Sequence, residues 1–188
     1  MKTPGQNELL DIVAVGAGPA GLGVLHASKL AGLSAVAIDK GAVCSALCSH
    51  PTYMRWFSTT DRLELGGFPL VTSEKNPTRQ EYLNYLRAFV RYFDLQVAPY
   101  REVVSLVTEN DGFAVVAKDL YEREYVWTTR HVVLATGFYD NPRPMGIAGE
   151  HLPKVSHRYS EPHWYFDQDV LIIGGGNRAR VVPERGAG

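Results

Sequence analysis

Apolar positions set the punctuation of this chain. Asp11-Ile12-Val13-Ala14-Val15 is a short apolar run that stops at Gly16-Ala17-Gly18-Pro19-Ala20-Gly21, and such a run predicts a buried parallel strand entering a tight turn. A helix is predicted next: Leu22, Leu25 and Leu30, with the small residues Ala27 and Ala31, share one face, and Gly32 ends it. Ser34 to Ile38 returns as a second strand and completes a βαβ unit. From Gly41 to Ser73 the period is lost and Gly, Pro, Ser and Thr accumulate, so a long irregular excursion containing one helical turn is expected there, of the kind that is usually functional.

At Thr78-Arg79-Gln80-Glu81, Thr and Glu stand at capping-box spacing and open a helix whose apolar side is Tyr82, Leu86, Phe89, Val90 and Phe93. Beyond Leu95 the alternation becomes that of strands. Leu95 to Ala98, Glu102 to Val107, Phe113 to Ala117 and Glu124 to Thr128 are predicted as short strands, with Asn110-Asp111-Gly112 as a hairpin turn. His131 to Gly137 is again a continuous apolar run that predicts a strand of the parallel sheet. Pro142, Pro144 and Pro153 mark a linker, and Val170-Leu171-Ile172-Ile173 is predicted as a strand running into a second glycine loop, Gly174-Gly175-Gly176-Asn177-Arg178-Ala179.

The fold class expected is therefore α/β: a Rossmann-like domain over 8–150 with a parallel sheet and an antiparallel β-meander at about 101–130, followed over 151–188 by a linker and the start of a second dinucleotide-binding domain. Composition narrows the function classes. The 45% hydrophobic and 21% charged fractions are ordinary for a globular chain, and no apolar stretch has the length of a membrane span. Met1 to Leu10 do not resemble a secretory signal, so a cytoplasmic location is expected. The net charge of −1, with both signs interspersed, argues against a nucleic-acid partner. Two cysteines, Cys44 and Cys48, are too few for a disulfide scaffold.

The first loop carries the chemistry. In the fingerprint, Gly16 permits the tight turn, Gly18 lets backbone approach a pyrophosphate, and Gly21 allows helix to pack on strand. Asp39 ends the second strand at about the ~20-residue distance where a carboxylate accepts from a ribose 2′-hydroxyl, which argues against a 2′-phosphate at this site. Strand, loop, helix, strand and acid together make this a dinucleotide site. The second loop lacks its helix and acid, and its function rests on Ile173-Gly174-Gly175-Gly176 alone.

Taken with Thr59 to Pro69, Ala135 to Asp140 and Val170 to Asn177, the first loop resembles the two-dinucleotide-domain flavoproteins, and within them the bacillithiol disulfide reductase family, relatives of thioredoxin reductase. The resemblance runs from about Asp11 to Asn177. It implies FAD held by the first loop and NADPH by the second, with hydride passing from NADPH to FAD and on to a small-molecule or disulfide acceptor. It places Gly16, Gly18, Pro19, Ala20, Asp39 and Lys40 at FAD, Thr136 and Gly137 beside it, and Gly174, Gly176 and Asn177 at the start of the NADPH site. Some members carry a cysteine where Ala20 stands, so a thiol route at that position is excluded here. Arg178 to Gly188 has neither helical nor strand spacing where the family has a long helix, and is expected to be a truncation remnant or sequence read out of frame.

Cys44 and Cys48 fall roughly where disulfide reductases of the wider family place a redox pair, but with three intervening residues the spacing differs, and two ordinary small thiols are the simpler expectation. His50 beside them lacks the second ligand pair that zinc requires. Arg55-Trp56-Phe57-Ser58-Thr59-Thr60 fits cofactor contact and plain burial equally. His26 is expected to be packed or on the surface, His151, His157 and His163 lie scattered in the linker, and Tyr121 to Glu124 forms a hairpin tip. No catalytic residue is assigned. Two alternatives stay open: a flavin-dependent monooxygenase, and a non-catalytic nucleotide-binding fragment whose exposed apolar strand would be covered by aggregation or by a homodimer.

Overall fold

The structure is a computed structural model, and it describes residues 8–109, 111–139, 143–159 and 161–174. β1 (Leu10–Val15) leads through the glycine loop into α1 (Pro19–Leu30) and back to β2 (Ala35–Ile38). Two short helical turns follow, α2 (Ser45–Cys48) and α3 (Thr60–Leu63), one more than the sequence predicts. Next come α4 (Arg79–Tyr92), β3 (Val97–Ala98), β4 (Glu102–Glu109), β5 (Gly112–Lys118) and β6 (Glu124–Leu134), and a 3₁₀ turn at Pro162–Tyr165.

The six strands among the described residues form one sheet in the order β3-β2-β1-β6-β5-β4. β1 lies between β2 and β6 and is parallel to both, with Val15 opposite Ile38 on one side and Leu134 on the other. Parallel neighbours demand burial on both faces, and β1 obliges: Ala14 points into the cluster formed with Leu22, Leu25, Leu86 and Phe89, whereas Val13 joins Val36, Ile38, Val115 and Trp127 on the other face. The second cluster mixes parallel and antiparallel strands, so the meander curls across one face of the parallel half while α1 and α4 cover the other.

The α4 cap forms as its sequence requires. Thr78 Oγ1 accepts from the Glu81 N–H at 3.2 Å, and the Glu81 carboxylate accepts from the Thr78 N–H at 2.8 Å. That backbone donor, with the Thr78 hydroxyl, holds the Glu81 carboxyl below its ordinary range. The buried stripe of α4 is Tyr82, Leu83, Tyr85, Leu86, Phe89 and Val90.

Three expectations are corrected. The strands expected at 124–128 and 131–137 are a single strand, β6, whose register runs without a break from the hairpin with β5 into the parallel ladder with β1. Thr129 pairs with both Phe113 and Leu10, and no turn residue stands between the two segments. On α1 the buried face is Gly21, Leu22, Leu25, His26 and Ser28, whereas Leu30 is 76% exposed and Ala27 and Ala31 are also exposed. Leu30 is the last residue of the helix, and the His26 ring takes the space against α4 instead, 5.3 Å from Phe89 and 4.3 Å from Phe93. Finally, Val170 to Ile173 form no strand: all four are exposed, Leu171 at 85%, and among the described residues no strand pairs with them to complete their hydrogen bonds.

Candidate functional site

The glycine loop stands at the carboxyl end of β1, where the chain leaves the sheet with β2 on one side and β6 on the other, the crevice position at which open α/β sheets bind ligands. Gly16 has φ +110°, a backbone that side chains rarely adopt, and its N–H donates to the Ile38 carbonyl at 2.7 Å. A Cβ at Gly16 would land on the carbonyl of Ala135, and one at Gly21 on the carbonyl of Gly16. Both glycines are therefore required by the chain crossing itself.

Gly18 differs from them. A Cβ there would meet nothing within 4 Å, so the chain gives no internal reason for a missing side chain, and the space above it is open. Gly18 is also the N-cap of α1, offering no side-chain oxygen; Pro19 follows, and the first turn carries no acid. The first-turn N–H groups and the positive end of the helix dipole are thus left without an intrinsic counter-charge, the arrangement that accepts a phosphate. Ala20 is exposed on that turn. This cradle fits the diphosphate of a dinucleotide.

Asp39 sits at the end of β2, and its carboxylate is already engaged. One oxygen accepts from Ala17 N–H at 2.8 Å; the other accepts from Gly41 N–H at 2.8 Å and Ser45 Oγ at 3.0 Å. A carboxylate offers about four acceptor sites, so roughly one remains for a ribose hydroxyl. Asp39 thus braces the glycine loop against the Gly41–Ser45 turn while keeping some accepting capacity. Lys40 is exposed beside it. Ser45 was missed by the sequence reading, but the Asp39–Gly41 contact had a signal: an aspartate with glycine two residues on is an Asx turn.

Thr136 and Gly137 come next to the loop because Ala135 N–H donates to the Val15 carbonyl at 2.8 Å, continuing the β1–β6 ladder past the strand ends. Both are exposed, and Gly137 has φ +74°. Gly16, Gly18, Pro19, Ala20, Gly21, Asp39, Lys40, Thr136 and Gly137 are therefore gathered at one end of the sheet. Gly174 has a left-handed backbone, φ +110°, with open space about it, but the strand expected to present it is absent; Gly176 and Asn177 lie outside the described residues.

Cys44 is buried, and both its N–H and its Sγ donate to the Ala17 carbonyl, at 3.0 and 3.3 Å. Burial, reinforced by the Asp39 charge, pushes the thiol up to about 12. A thiol so hard to ionise is a poor nucleophile, so Cys44 supports loop structure. Cys48 is exposed on α2, and its carbonyl, with that of His50, is held by the Arg79 guanidinium at 2.7 and 2.9 Å. The His50 ring packs on Trp56 and Tyr139, at 5.3 and 4.2 Å. Within the aromatic patch, Trp56 packs edge-on to Tyr82 at 5.3 Å, and the Asn76 amide gathers the carbonyls of Trp56, Phe57 and Ser58. Just before the linker, buried Glu150 accepts from the Met145 and Gly146 N–H groups and lies 3.5 Å from His157.

The family model described as pyridine nucleotide-disulphide oxidoreductase matches residues 13–180. The chain is 36% identical over 167 residues to bacilliredoxin reductase Bdr of Bacillus subtilis, covering 88% of this chain and 50% of that protein. It superposes on the structure of bacillithiol disulfide reductase Bdr from Bacillus cereus with a TM-score of 0.87 at 32% identity, covering 92% of this chain and 53% of that one. A more distant match is an indole-3-pyruvate monooxygenase, YUCCA4, of Oryza sativa subsp. japonica, 29% identical over 90% of this chain and 43% of that protein. The chain spans about half the length of the curated relatives it matches. With a family match over residues 13–180, most of its length, the chain belongs to the pyridine nucleotide-disulphide oxidoreductase family.

Proposed function

We propose that this chain is the flavin-binding part of an NAD(P)H-linked oxidoreductase acting on a disulfide. Residues 8–150 hold FAD, and 151–188 are the linker and the beginning of an NADPH-binding domain. Family membership implies a flavin and a pyridine nucleotide as redox cofactors; FAD in particular is supported by the conjunction of the open position at Gly18, the unguarded N-terminus of α1 and Asp39 beyond it. The observation that carries the proposal is the contrast within the loop: Gly16 and Gly21 are glycines because the protein needs the space, and Gly18 is a glycine although the protein does not.

When bound, the flavin supplies two-electron chemistry between nicotinamide and acceptor. The chain's own residues orient it. The first-turn N–H groups of α1 receive the diphosphate, Asp39 accepts from the ribose with its remaining lone pair, and Thr136 and Gly137, fastened to β1 through Ala135, wall the cradle on the β6 side. For NADPH the residues described do not assemble a seat, and no step is assigned to them.

The similarity to the rice monooxygenase favours a second reading, in which the acceptor is oxygen; its lower identity places it behind the first. Anaerobic addition of NADPH to the purified chain charged with FAD, followed by a disulfide substrate such as bacillithiol disulfide or by air, tests both. Bleaching reversed by the disulfide supports the reductase. Bleaching reversed only by air, through a transient oxygen adduct, supports the monooxygenase. Flavin that binds but does not bleach means that this chain holds the cofactor without turning it over.

A further inference from the structure

Between Arg143 and Tyr159 the usual order of burial is inverted. Met145, Ile147, Leu152 and Val155 are each at least 40% exposed, and the one buried residue described in this stretch is an acid, Glu150, whose side chain is 2% exposed. A carboxylate leaves water only where hydrogen bonds and an opposite charge replace it. Met145 N–H donates to both carboxylate oxygens, at 2.9 and 3.1 Å, Gly146 N–H donates to Oε2 at 2.8 Å, and His157 Nε2 lies 3.5 Å from Oε1. Left-handed backbones at Gly146 and Gly149, φ +70° and +85°, turn the chain around that carboxylate.

Glu150 thereby ties the start of the stretch, at Met145, to its far end, at His157. The next residue makes a second closure. The Arg158 guanidinium donates to the Tyr139 carbonyl at 3.4 Å and lies 5.4 Å over the Tyr139 ring, and that ring packs on His50 at 4.2 Å. Tyr139 in turn follows Thr136 and Gly137 at the end of β6. Neither hydrophobic cluster contains a residue of this stretch, so its path is set by these polar and ring contacts, with the buried charge at their centre.

On the reading of Thr136 and Gly137 as a wall of the cofactor seat and of 151 onward as the way to a second domain, we propose that Glu150 is a positioning residue: it pins the linker to the end of β6, so that the chain beyond Arg158 departs in one fixed direction from that wall. The linker is then a bracket and not a free hinge. Transfer between two bound cofactors requires their seats at a set distance and orientation, and a linker closed around a buried charge supplies that constraint.

The test is pulsed dipolar spin resonance of the full chain, with nitroxide labels at exposed Cys48 and at Lys154→Cys, diluted into unlabelled protein so that only distances within one chain are read; Cys44 is buried and spared. Hydrogen exchange of the same proteins follows the amides of Met145 and Gly146. Expected is one narrow distance distribution in the labelled parent. In Glu150→Gln the distribution broadens, and those amides exchange about tenfold faster or more, while α4 exchanges as before. His157→Gln broadens the distribution by itself and decides the matter should Glu150→Gln loosen α4. A parent that is already broad, or variants as narrow as the parent, overturns the pin. Because no cofactor is added, that failure leaves the flavin seat standing, and a pinned chain that binds no FAD fails the seat alone.

Discussion

Gly18 and Gly21 lie three residues apart and answer to opposite constraints. A methyl at Gly21 would strike the Gly16 carbonyl, so Gly21→Ala is expected to cost roughly 3 kcal/mol or more in denaturant unfolding. At Gly18 the backbone is extended, with φ −77°, and the space is open. Gly18→Ala should therefore unfold within about 1 kcal/mol of the parent while losing about tenfold or more in FAD affinity, because the methyl enters the space meant for the pyrophosphate. A Gly18 variant with unaltered affinity would move the cofactor elsewhere. Cys44 gives a second prediction. Burial holds its folded thiol up to about 12 against an ordinary 9.0, so between those values the unfolded chain releases a proton that the folded chain keeps, and stability falls by up to about 1.4 kcal/mol per pH unit as pH rises through that window. Labelling with iodoacetamide at pH 8 should accordingly modify exposed Cys48 and spare Cys44 in the folded protein. At this scale the sequence was informative wherever a residue's role is local: Gly16, Gly21 and the Thr78 cap follow from spacing. Ser45, Cys44 and Arg79 serve the loop through contacts across the fold, from Ser45 to Asp39, Cys44 to Ala17 and Arg79 to Cys48, and no periodicity announces those.

Elements were legible where one force decided them. α4 combines a capping box with an amphipathic stripe, and both form. Thr78→Ala should lower stability by about 1 kcal/mol, seen as a reduced denaturation midpoint with an unchanged slope; a loss well below that would mean that packing by Leu86 and Phe89 alone holds the helix start. β6 was misjudged because two kinds of pairing share one strand. Its first half alternates, with Trp127 buried between exposed Val126 and half-buried Thr128, as a meander strand does, and its second half runs apolar, as a parallel strand does; the change of pattern looks like a boundary in sequence, but the backbone passes through it. The face of α1 was rotated in the same way, since a leucine outranks a histidine on any hydropathy scale, yet His26 fills a ring-lined gap that Leu30 cannot reach.

For the whole molecule, the order β3-β2-β1-β6-β5-β4 puts the ends of β2, β1 and β6 side by side, and the residues of the proposed flavin site are brought together by that adjacency. The end of β6 and the linker show the opposite condition. Leu134 and Phe138, and in the linker Trp164, Phe166 and Leu171, are each more than two-thirds exposed, an apolar burden that protein surfaces normally cover. Self-association is the expected consequence: sedimentation velocity should give a mass above the 20.8 kDa of one chain, rising with concentration, and a monomer at every concentration would show that these side chains are tolerated in water. Among the described residues no helix is long and apolar enough to cross a membrane. The central claim concerns the cradle at the end of β1, and titration of the purified, flavin-free chain with FAD, followed by the quenching of flavin fluorescence, tests it most directly. One FAD bound per chain, with binding lost in Gly18→Ala while the fold is kept, is the result predicted. No saturable binding by a chain that is folded by circular dichroism would contradict it.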